Sequence, residues 1–221
     1  MSKKDKTVKK KKNVLNRLLL CIILVGLVFL GYYVYTNFFK KSGTVEAPKV
    51  VDEIKNFNYV VSENDTKLFK STFDELKKVL SAKEVDKKAY AETISKLFII
   101  DFFTLENKTS KNDVGGVQFV FSSYKSDFVD YARDGIYKQV NNSINEKKNE
   151  NLPTVTKVEI TGTEEVSPSS LFSSIGFGDD AVGYQISLKW EYENGSGFQN
   201  SSTLIVITDN DKLSVARMTE E

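Results

Sequence analysis

An N-terminal transmembrane helix followed by an α+β domain, with helices packed on a four-stranded antiparallel sheet, is the fold class this sequence predicts. Three observations carry it. Residues 18–39 hold no charged side chain; residues 66–105 repeat apolar side chains at helical spacing; and beyond Pro153 the apolar period falls to two.

Composition narrows the function classes first. The 221 residues leave room for one ordinary domain besides a tail and an anchor. The total charge of +1 conceals an asymmetry. The first seventeen residues carry eight basic groups (Lys3, Lys4, Lys6, Lys9, Lys10, Lys11, Lys12 and Arg17) against the single acid Asp5, a local charge of +7 that leaves −6 on the remainder. An acidic remainder repels polyanions, so a nucleic-acid partner is not expected. The chain has no His, and its one Cys, Cys21, lies in the apolar run. Disulfide frameworks and the usual zinc and thiol chemistries are thereby excluded from the domain, and no cofactor is expected. Lys greatly outnumbers Arg, which occurs only at 17, 133 and 217, a bias that fits AT-rich, bacterial coding.

Residues 1–17 read as a basic cytoplasmic tail that fixes topology and attracts anionic lipid. Residues 18–39 follow as the transmembrane helix; at 1.5 Å per residue they span roughly 33 Å, enough for the hydrocarbon core of a bilayer. Tyr32, Tyr33 and Tyr35 collect at its far end, where amphipathic rings suit the headgroup region. The expected location is therefore the cell membrane, single-pass, with the N-terminus cytoplasmic and the C-terminus extracytoplasmic. A cleaved signal peptide would have to cut after Val45-Glu46-Ala47, with Lys40 and Lys41 interrupting the approach and Pro48 following the cut. Residues 40–55, poor in bulky apolar groups, read as a linker to a domain over residues 56–221.

Within that domain, Phe57 to Val61 reads as a strand or packed lead-in, and Asn64-Asp65 as a cap for a helix over Thr66 to Ser81. There Phe69, Phe73, Leu76 and Leu80 recur at spacings of four, three and four, one buried face. Asp86 suits the N-cap of a second helix carrying Tyr90, Ile94, Leu97 and Phe98, which becomes apolar all round through Leu105 and so should be central. Asp101 sits inside that run, where an ionised carboxylate is costly unless paired, hydrogen-bonded or protonated. Gly115-Gly116 permits a sharp turn or close helix packing but lacks the Lys and Ser/Thr of a phosphate loop. A further helix is expected over Tyr124 to Ile144, with Phe128, Ala132, Ile136 and Val140 inward and Tyr131 and Tyr137 beside them as core. Strands follow at Thr154 to Thr163, Val182 to Tyr192, Phe198 to Thr208 and Leu213 to Met218, with Asn194-Gly195 as a hairpin signal. Ser167 to Asp180, rich in Ser and Gly, reads as a long mobile loop able to order on a partner.

A helical first half, then four antiparallel strands, behind one N-terminal membrane helix resembles the nuclear-transport-factor-like (cone-shaped α+β) superfamily. Within it the architecture is similar to the bitopic scaffold proteins of type IV secretion and conjugation machines. The resemblance covers about residues 60–218 and rests on element order, with no motif. It implies a conical pocket between helices and curved sheet, lined by the even-numbered face of Val182 to Tyr192 and the Asp101 helix. Asp101, Tyr184 and Trp190 are then the candidate ligand residues; no catalytic or metal-ligating set is expected. The leading expectation is a non-enzymatic scaffold or assembly component of a bacterial cell-envelope complex, whose partners are the membrane and other envelope proteins. A small-ligand-binding or sensing module is the alternative. An enzyme using Asp101 as general acid or base ranks third, since a lone carboxylate lacks an evident partner.

Overall fold

Strand pairing begins inside the segment expected to be a linker. The computed structural model describes residues 48–140, 151–173, 177 and 180–220. The basic tail, the apolar run of residues 18–39 and the linker up to residue 47 lie outside them. β1 (Val50–Ile54) pairs antiparallel with β2 (Tyr59–Ser62) through a 3-10 turn at Lys55–Phe57. Asn58 closes that turn at φ 52°, a left-handed conformation that Asn tolerates. Its own alternation hid β1 from the sequence: Val50 and Val51 are exposed, so no buried face marks the strand. The side-chain amide of Gln118 bonds Val60 twice, accepting from its N–H at 2.8 Å and donating to its carbonyl at 3.2 Å. One side chain thus stands in for a neighbouring strand, satisfying backbone groups that would otherwise lack partners.

α1 (Lys67–Leu80) starts at Thr66, whose side chain accepts the Phe69 N–H; the cap is this residue, not the Asn64-Asp65 pair expected. Asp65 instead folds back to accept the Ser62 N–H at 2.7 Å. Phe69, Phe73 and Leu76 are buried as the spacing predicts. α2 (Lys87–Phe103) is capped by Asp86, which accepts from Ala89 N–H at 3.0 Å. Eleven of its residues are buried, on every side of the helix, which makes it the central element. Among the described residues no helix is long and apolar enough to cross a membrane.

The helix expected over residues 124–144 is shorter. α3 (Lys125–Asp134) stops at Gly135, whose N–H bonds the carbonyls of both Tyr131 and Ala132, and a 3-10 turn at Ile136–Gln139 follows. Continuing as an α-helix would carry Tyr137 away from the buried backbone groups its hydroxyl bonds, described below. Residues 141–150 lie outside the described residues.

β3 (Thr154–Val166), β4 (Gly183–Glu193), β5 (Ser201–Asp209) and β6 (Lys212–Glu220) form an antiparallel meander in sequential order. The chain is therefore α+β, with helices on a four-stranded antiparallel sheet. β5 begins at Ser201, later than the Phe198 expected. Asn194 at φ 58° opens a longer turn in which Phe198 packs on Tyr192 (6.2 Å between centroids) and the Tyr192 hydroxyl donates to the Gln199 carbonyl.

β4 divides as its alternation requires: Tyr184, Ile186, Leu188 and Trp190 are buried, while Lys189 and Glu191 are exposed. β5 is buried on both faces. Leu204 and Val206 join the main core beneath α2; Ile205 and Ile207 join Phe121 and Phe172 in a second, smaller cluster. That second cluster alters the reading of Ser167 to Asp180. The segment expected to be a mobile loop opens with a helical turn, α4 (Pro168–Leu171), and Phe172 is buried with the Arg217 guanidinium over its ring at 4.9 Å. Phe177 also packs there. The sheet's second face holds the described part of this segment.

Candidate functional site

The all-round apolar stretch of α2 ends in a polar knot. Asp101 is flanked on both sides by buried residues, and its carboxylate is satisfied by two groups seven and fifteen positions further on. Lys108 Nζ lies 2.6 Å from Oδ1, and the Gly116 N–H donates to Oδ2 at 2.6 Å. Burial, the largest single influence, would depress the Lys108 pKa, but Asp101, together with Tyr137 and Asp113, holds the ammonium above the ordinary lysine value.

The two glycines explain how the chain reaches the carboxylate. A Cβ on Gly115 would sit 2.1 Å from the Asp101 carbonyl oxygen, and Gly116 adopts φ 77° with Phe98 against it. Only glycine permits that approach and that conformation. Tyr137 completes the knot from the far side. Its hydroxyl accepts the Gly115 N–H and donates to the Phe102 carbonyl, each at 2.8 Å; burial pushes its pKa up. Asp113 accepts from the N–H and hydroxyl of Thr109, closing the intervening loop.

Around the knot lies a shallow depression of about 220 Å³, with Asp65, Asp101, Lys108, Asp113 and Gln118 among its walls. Burial, and secondarily the Asp101 charge, raises the Asp65 pKa above the usual carboxylate value. Each of the three acids already accepts a hydrogen bond from the protein itself. Chemically the arrangement organises backbone: the Asp101 carboxylate ties the 104–116 loop to the end of α2, and the Tyr137 hydroxyl ties the 136–139 turn to the backbone of Gly115 and Phe102. Among the described residues no three His, Cys, Asp or Glu side chains are grouped so as to hold a metal ion.

The candidate ligand residues do not share this depression. Tyr184 and Trp190 are 5% and 2% exposed and face the interior from β4. Trp190 packs against Phe103 of α2 with centroids 4.8 Å apart and edge-on to Tyr192 at 6.5 Å. Leu188 and Ile186 beside it are fully buried. The even-numbered face of β4, expected to line a conical pocket, is thus covered by side chains, and each large side chain so buried contributes roughly 1.5–3 kcal/mol. Asp101 alone of the three borders solvent, with its side chain 14% exposed.

Two features escaped the sequence reading. Lys108 carries no signal except its distance of seven residues from Asp101, across a helix end that periodicity does not locate. Tyr131, expected beside the core, is 82% exposed. It borders a groove of about 480 Å³ between α3 and the β4–β5 turn, with Phe103, Ile136, Phe198 and Met218 in its walls and no charged side chain among the described residues that line it.

Compared with protein-family models, with curated proteins and with solved structures, the chain matches none.

Proposed function

We propose that this chain is a single-pass, membrane-anchored scaffold or assembly component of a bacterial cell-envelope complex, with the described domain outside the membrane. One observation carries the preference for a scaffold. The face of the sheet that carries Ile186, Leu188 and Trp190 is covered by α2, with Phe103 on Trp190 and Ile186 and Leu188 fully buried. A small-ligand module with a conical pocket would need the space these side chains fill, and Asp101 stands at the margin, bound to Lys108.

The anchor reading rests on the charge-free run of residues 18–39 and the lysines before it. The nuclear-transport-factor-like assignment, and the likeness to bitopic type IV secretion scaffolds, draw support from element order alone: after the β1–β2 hairpin, helices and then a four-stranded meander. Anionic lipid at the basic tail and other envelope proteins are the partners this reading names, and no catalytic step belongs to it.

The test is photo-cross-linking in intact cells, with the full-length chain carrying the reactive group at position 131 or, as a comparison, at position 190 in the core. Discrete envelope proteins captured from 131 but not from 190, in stoichiometric amounts and from the membrane fraction, support a scaffold. Capture of none at 131 or at other exposed domain positions, together with saturable binding of a small apolar molecule that shifts the melting temperature, would replace it with the sensing module.

A further inference from the structure

We draw no further inference here: the strongest candidate, the groove of about 480 Å³ between α3 and the β4–β5 turn beside Tyr131, carries nothing because nothing in the structure shows what covers it.

Discussion

Replacing Asp101 with Asn keeps the side chain's shape and an oxygen for the Gly116 N–H but removes the charge facing Lys108. The gross attraction at 2.6 Å is about 6 kcal/mol at an effective dielectric of 20. Most of it offsets the desolvation of an ammonium only 6% exposed. Removing one partner of such a buried pair costs about 3–5 kcal/mol, because the remaining charge keeps its desolvation penalty. The partial exposure of Asp101 places Asp101→Asn near the lower end, about 3 kcal/mol. Lys108→Met should cost less, about 2 kcal/mol, since the carboxylate it leaves still reaches water and Gly116. A domain of this size loses about 2–4 °C in melting temperature per kcal/mol, so Asp101→Asn should melt roughly 6–12 °C lower.

The assay is urea unfolding of the domain from residue 48 onward, for wild type, both single variants and the double variant. Coupling predicts a double variant less destabilised than the sum of the singles by about 1–3 kcal/mol. Linkage fixes the pH range. The folded pKa of Lys108 lies above its unfolded value, so the pair's contribution is fully present below the ordinary lysine value, about 10.4, and is lost as pH rises through the higher folded one. The cycle should therefore give the same coupling at pH 7 and pH 9. Single-variant costs that add within about 0.5 kcal/mol would refute the idea that the two charges act as one unit.

Other expectations follow from the same geometry. Gly115→Ala forces a Cβ to within 2.1 Å of a backbone oxygen and should prevent accumulation of folded domain, read as lost near-ultraviolet circular dichroism. Tyr137→Phe leaves the Gly115 N–H and Phe102 carbonyl without their shared hydroxyl, at about 1–3 kcal/mol for each group, and thermal melts should show the loss. Asp65→Asn should stabilise the domain at neutral pH: a carboxyl whose folded pKa is raised costs stability while ionised. That advantage should shrink as pH falls through the folded pKa and vanish below the ordinary carboxylate value, which melts at pH 7 and pH 3 would compare. Deleting residues 18–39 should move the chain from the membrane to the soluble fraction on ultracentrifugation; a deletion variant that stays in the membrane would sink the anchor reading.

Periodicity made α1, α2 and β4 legible, because each has one dominant environment that repeats along it. Phe69, Phe73 and Leu76 meet the same core, and Tyr184, Ile186, Leu188 and Trp190 face the same way. Where an element is held by contacts distant in sequence, the pattern misleads. β1 presents exposed valines, so its strand shows only in pairing with β2. α3 ends at Gly135 although the apolar spacing runs on to Val140, because Tyr137 bonds groups 22 and 35 residues earlier. The segment after Ser167 looked mobile from its Ser and Gly content, yet Phe172 finds Phe121, Ile205 and Ile207 on the second face of the sheet.

The candidate site divides along the same line. By itself the sequence determined that Asp101 needs a partner, because a carboxylate inside an apolar helix is costly wherever the helix lies. It also determined the separation of a basic, apolar N-terminal segment from an acidic remainder, since charge and hydropathy are local sums. Only the tertiary structure decided that the partner is Lys108, that two glycines bring a backbone N–H to the same carboxylate, and that Tyr184 and Trp190 belong to a packed interior. Those outcomes depend on which surfaces α2 and the sheet share, and that is set by the closing of loops and the filling of volume, quantities that no single stretch of sequence contains.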